Sequence, residues 1–152
     1  MTSMQQDHGI PDRTTDLESA LARQAEIFQG TLVEALGIEI TSAGPGKATA
    51  SMPVGLHTMH PGRFVHGGAI ATLGDSCAAW ATLPALEQGW NFSTIQFQVN
   101  FMRAITEGVL HASAHEVHRG SRTQVLEVRV TDDRDRLVAT MTVTQALLAP
   151  RD

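Results

Sequence analysis

His66-Gly67-Gly68-Ala69-Ile70-Ala71-Thr72-Leu73-Gly74-Asp75-Ser76-Cys77-Ala78-Ala79-Trp80-Ala81-Thr82 is the stretch on which the fold turns. Ile70, Leu73, Cys77 and Trp80 recur at spacings of three and four, which predicts a helix over residues 66–82 with one core-facing stripe. Pro84 stops it. Two glycines at the loop-to-helix junction allow close approach to the backbone and leave N–H groups pointing outward. Such an N-terminus carries partial positive charge and can hold an anion or polarise a carbonyl oxygen. Taken alone, Gly67 and Gly68 are more simply read as a tight helix entry. Asp75 adds weight to the chemical reading. It lies roughly opposite the apolar stripe, among the small residues Gly68, Ala71, Thr72, Ala78, Ala79 and Thr82, and it is the one charge between His66 and Pro84. Asp is a poor helix-interior residue, and an ordinary solvent-facing surface would carry several charges.

Beyond the helix the period changes to two. Ile95, Phe97, Val99 and Phe101 alternate with Thr94, Gln96, Gln98 and Asn100, predicting a half-buried strand over residues 93–103. Further strands are expected over 109–118, over 122–131 with Leu126, Val128 and Val130 on one face, and from Leu137 through Val143 after the polar turn Asp132-Asp133-Arg134-Asp135. Before the helix, residues 15–36 read as helical, broken at Gly30 and ended at Gly37. Short strands follow over 38–41 and 47–54, on either side of Ala43-Gly44-Pro45-Gly46. Short connections favour antiparallel pairing, so the expected class is α+β: a curved antiparallel sheet packed on one long helix. One helix leaves part of such a sheet uncovered, which points to association between subunits.

The 152 residues are about the size of one domain, and 42% hydrophobic content supplies a core. Residues 1–13 read as a polar leader and 14–150 as the domain. The net charge of −5 gives no support for wrapping nucleic acid or an anionic membrane, and no stretch is apolar for long enough to span a bilayer. Cys77 is the only cysteine, so no disulfide framework forms within the chain. A cytoplasmic location is the expectation. His57, His60 and His66 do not have the spacing of a compact metal motif with Asp75, and neither a metal nor a cofactor is expected.

The combination of His66-Gly67-Gly68 with Asp75 nine residues after the His, Val99-Asn100-Phe101-Met102-Arg103, and Gly120-Ser121-Arg122 resembles the PaaI-like hotdog thioesterases, the phenylacetate-degradation and 4-hydroxybenzoyl-CoA type enzymes. The resemblance runs from about residue 38 to 149. It implies a hotdog fold, in which the sheet wraps the long helix and two subunits join sheets edge to edge as a dimer or a dimer of dimers (a homotetramer). It implies an acyl-CoA substrate, the Gly67 N–H polarising the thioester carbonyl, and Asp75 attacking it or activating water. It further implies that Ser93 positions the water or the carboxylate. His60 stands where the family usually has Asn or Gln, and His66 completes the catalytic set.

The chemistry is coherent without the family. Thioester hydrolysis needs an oxyanion-stabilising donor and a base or nucleophile, and no metal. Arg63, Arg103, Arg119 and Arg122 are candidates to meet the CoA phosphates, although each taken singly is also an ordinary surface charge. Gly68 and Asn100 complete the expected substrate contacts, with Phe64, Val65 and Trp80 as apolar walls. The expected substrate is a small aromatic or medium-chain acyl-CoA. Two rival functions share these residues: a non-hydrolytic acyl-CoA-binding module, and a hotdog enoyl hydratase or dehydratase using His66 with Asp75.

Overall fold

The computed structural model describes residues 17–150; the expected leader lies outside the described residues. Three short helices come first, α1 (Leu17–Ala22), α2 (Gln24–Phe28) and α3 (Leu32–Ala35). The expected break at Gly30 is present, and the helix is also interrupted at Arg23. Gly30 and Gly37 both adopt the left-handed backbone that stops a helix, at φ +73 and +68. The hairpin β1 (Glu39–Gly44) and β2 (Lys47–Pro53) follows, then the loop to α4 (Gly67–Thr82). Four strands complete the chain: β3 (Asn91–Phe101), β4 (Val109–Arg119), β5 (Thr123–Thr131) and β6 (Leu137–Leu148).

All the strand pairs are antiparallel, in one six-stranded sheet of order β1-β2-β4-β5-β6-β3. This α+β arrangement of a sheet around one long helix is the one expected. Alternation explains which side faces the helix. Ala48, Ala50 and Met52 of β2, Leu110, Ala112 and Ala114 of β4, Leu126, Val128 and Val130 of β5, and Ala139, Met141 and Val143 of β6 are all buried, while their strand neighbours are mostly more exposed. They close over Ile70, Leu73, Cys77 and Trp80, the four stripe residues, all buried. Full burial of a side chain such as Leu73 or Leu126 contributes roughly 1.5–3 kcal/mol. Helix and sheet approach closely because the contact residues are small. At Gly74 even a Cβ would run into the sulfur of Met141.

Two strands have a free edge, β1 and β3. On β3 the side facing the helix is poorly covered: Phe97 is 44% and Phe101 52% exposed. The expectation of a half-buried strand therefore fails for these rings, because α4 lies mainly under β2, β4 and β5.

Candidate active site

The N-terminus of α4 is organised by one residue. His66 is the N-cap, and its Nδ1 accepts the Gly68 N–H at 2.8 Å. Its carbonyl accepts the N–H groups of Ala69 and Ile70, at 2.9 and 3.2 Å. The bond to Ile70 is the first regular helical one, which leaves four amides at the helix start without helical partners: the His66 N–H donates to the Thr58 carbonyl at 2.8 Å, and the Gly68 and Ala69 N–H groups go to His66. The Gly67 N–H is the one left, with no acceptor among the described residues. Because His66 Nδ1 accepts, the neutral ring carries its proton on Nε2. The absence of a side chain at Gly67 lets the Phe101 ring lie over the helix entry: a Cβ there would come within 2.9 Å of the exposed ring and displace it.

His60 repeats this device one turn earlier in the chain. Its Nδ1 accepts the Gly62 N–H at 2.8 Å, its ring stands edge-on to Phe64 with centroids 3.8 Å apart, and the His60 and His66 rings are 6.3 Å apart. In the neutral ring, Nε2 is thereby left as the N–H donor.

Asp75 is half-buried in the middle of α4, and its Oδ1 accepts the Thr94 hydroxyl at 2.8 Å. Its Oδ2 has no partner among the described residues. Regular alternation counted back from Phe101 would turn Ser93 toward the helix. A β-bulge breaks the count. Thr94 pairs with Gln145 and Gln96 with Thr144, so Ile95 is the extra residue and the phase shifts by one. Thr94 thus points inward and Ser93 is exposed. Sequence reasoning missed Thr94 because nothing in the alternation of residues 93–101 marks a bulge. It also missed the Phe101 ring over Gly67.

The remaining residues separate into groups. Val65 is buried in the core, its N–H bonded to the Ile105 carbonyl at 2.8 Å, and Trp80 is buried edge-on to Phe28. Phe64 is exposed beside His60. Arg63, Arg103 and Arg122 are exposed, with no carboxylate partner among the described residues. Arg119 is engaged: it pairs with Glu116 at 2.5 Å and donates to the Ala85 carbonyl beyond the end of α4. Asn100 pairs with Thr140 on the face of the sheet away from α4, where it borders a cavity of about 490 Å³ with His115, Glu127 and Arg129. The structure does not bring Asn100 or Ser93 to Asp75. No described helix is long and apolar enough to cross a membrane.

Residues 62–139 match the model of the thioesterase superfamily. The chain belongs to this family. The proofreading thioesterase EntH of Cronobacter turicensis is 30% identical over 119 residues, spanning 78% of this chain and 87% of the relative. The 1,4-dihydroxy-2-naphthoyl-CoA hydrolase of Escherichia coli is 29% identical over 120 residues, spanning 79% and 88%. A crystal structure of a Haemophilus influenzae thioesterase superposes with a TM-score of 0.82 at 25% identity, covering 93% of this chain and 96% of that one. The fold is the hotdog fold, and the protein is a hydrolase of thioesters.

Proposed function

We propose that this thioesterase acts on acyl-CoA, with Asp75 of one subunit and the Gly67 N–H of another completing each site. The observation that carries the reading is the pairing of a carboxylate, tied at one oxygen by Thr94, with the single untaken amide of the same helix. Both residues lie on one unbroken helix, eight positions apart, or about 12 Å along its axis at roughly 1.5 Å per residue. Reacting groups must come within about 3–3.5 Å, so one helix cannot supply both to one carbonyl. Two helices running antiparallel about a twofold axis can. The free edge of β3 and the uncovered Phe97 and Phe101 rings supply the surface for such a pair.

In this arrangement the thioester carbonyl oxygen accepts the Gly67 N–H, and the developing negative charge is held at the positive end of the helix. Asp75 then either takes a proton from a water that attacks the carbonyl carbon, or attacks it to form an anhydride that water opens. Either route breaks the C–S bond and yields a carboxylic acid and free CoA thiol. His66 fixes Gly67 by occupying the neighbouring amides, and His60 offers Nε2–H to the acyl side. Arg63, Arg103 and Arg122 are the exposed cations for the CoA phosphates. The relatives named as acting on aromatic CoA thioesters favour a small aromatic acyl group, with medium-chain groups as the competing class.

A panel of benzoyl-, hexanoyl-, octanoyl- and crotonyl-CoA, followed by thiol release, tests the reading. Thiol release from at least one member is expected. Binding without release would instead mark a carrier or sensor, and a change in enoyl absorbance without release would mark a hydratase.

A further inference from the structure

Gln124 and Gln145 face each other across β5 and β6 on the side of the sheet toward α4, and both are fully buried. Nearly every other inward residue of these two strands is aliphatic, so the pair demands an explanation. Burying a primary amide is costly unless its hydrogen bonds are made, and Gln124 Oε1 has no partner. Two leucines would fill the space without that cost.

The bonds they make run in one direction. Gln124 Nε2 donates to Gln145 Oε1 at 2.8 Å and also to Thr82 Oγ1, whose single proton has two acceptors in reach, the same Gln145 Oε1 at 2.6 Å and the Ala78 carbonyl at 3.0 Å, the shorter being Gln145. With two donors on its carbonyl, Gln145 turns its Nε2 toward Thr94, donating to Oγ1 at 3.4 Å. A hydroxyl has a single proton, and an N–H on its oxygen leaves that proton to be given elsewhere. The one remaining acceptor is Asp75 Oδ1, at 2.8 Å. The polar chain Thr82/Gln124–Gln145–Thr94–Asp75 thus joins the far end of α4 to its middle through the sheet.

We propose that Gln145, oriented by Thr82 and Gln124, is a positioning residue for thioester hydrolysis: its amide holds the Thr94 hydroxyl so that the proton points at Asp75. This rests on the reading of Asp75 as the catalytic carboxylate. A double-mutant comparison on the full chain, with benzoyl-CoA and hexanoyl-CoA as probes, separates the two. Gln145→Met should lower kcat by about tenfold and change KM little, and its effect should nearly vanish in a Thr94→Val background, because coupled residues are not additive. Equal losses in both backgrounds, or no loss in a folded Gln145→Met protein, would overturn the proposal while leaving Asp75 in place. Should Gln145→Met fail to fold, Gln124→Leu, which removes an unpaired atom together with one tether, is compared in the same two backgrounds. It should lower kcat only where Thr94 is present, and an effect independent of Thr94 overturns the proposal. Full activity in Asp75→Asn would remove the catalytic reading itself, and this proposal with it.

Discussion

Thr94 Oγ1 and Asp75 Oδ1 stand 2.8 Å apart, joining the edge strand to the middle of the buried helix. The bond occupies one carboxylate oxygen and leaves Oδ2 without a partner among the described residues. It also orients the group, which matters because small errors in placement cost large factors in rate.

Asp75→Asn keeps the shape and removes the base. Turnover should fall by about 10²–10⁴ with the fold intact. Thiol-release kinetics beside a circular-dichroism spectrum check this; near-normal hydrolysis in the folded variant would end the assignment.

Thr94 and Ser93 make a controlled pair. Losing one charge-assisted hydrogen bond to the carboxylate should cost about tenfold in kcat for Thr94→Val, with Thr94→Ser close to wild type. Ser93→Ala, on the exposed side of the strand, should stay within about twofold. A larger effect at Ser93 than at Thr94 would mean that Ser93 reaches the reacting groups from a second subunit.

Subunit sharing predicts complementation. Asp75→Asn lacks the carboxylate, and Gly67→Pro lacks the amide. In a mixed dimer one site carries both lesions and the other neither. Co-refolded variants should regain up to about a quarter of wild-type activity, since half of randomly paired dimers are mixed and half their sites intact. Native mass spectrometry confirms mixing. Phe101 is exposed and must yield to the proline ring, so the fold of Gly67→Pro is checked separately. Mixed dimers that stay inactive would rule out the shared site.

Asp132 gives a stability handle apart from catalysis. Its carboxylate accepts the side chain of Arg136 at 2.8 Å and the N–H groups of Arg136 and Arg134 at 2.9 and 3.0 Å. The Arg136 side-chain hydrogen bond leads in lowering its pKa from the ordinary 3.8 to about 2. A depressed folded-state pKa means that the stabilisation is fully present above about 3.8 and is lost as pH falls toward about 2. Melting temperatures of wild type and Asp132→Asn should therefore differ at neutral pH and converge across that window. A constant gap would show that the charge is not what matters.

Much of this arrangement was legible from periodicity. Ile70, Leu73, Cys77 and Trp80 announce a helix with one buried stripe, and the sheet strands after it alternate cleanly enough to place Leu126, Val128 and Val130 inward. Asp75 stood out because a solvated helix face, the ordinary explanation of a single Asp, usually carries several charges and this one carries one. The identity of its partner was not legible. A bulge leaves no mark in a run such as Ser93-Thr94-Ile95-Gln96, where two hydroxyls sit side by side and the register across β6 decides between them. The buried glutamines were hidden for a related reason: a Gln on a strand reads as solvent-facing unless its opposite number is known. The exposed Phe97 and Phe101 show the complementary error, since alternation reports which face a residue lies on, and coverage of that face depends on where the helix sits.

The extra residue at 95 divides β3 into two lengths of strand with separate phases. Thr94 keeps its inward aim from one side, and Phe97, Val99 and Phe101 keep theirs from the other. Deleting Ile95 would restore a regular strand without rotating either set, whereas an insertion or deletion between 97 and 101 would reverse every side chain on one side of it. Position 95 is thus a seam at which one residue can be removed without re-phasing the strand on either side. The hydroxyl bonded to Asp75 and the aromatic ring beside Gly67 therefore take their orientations from separate lengths of the same strand.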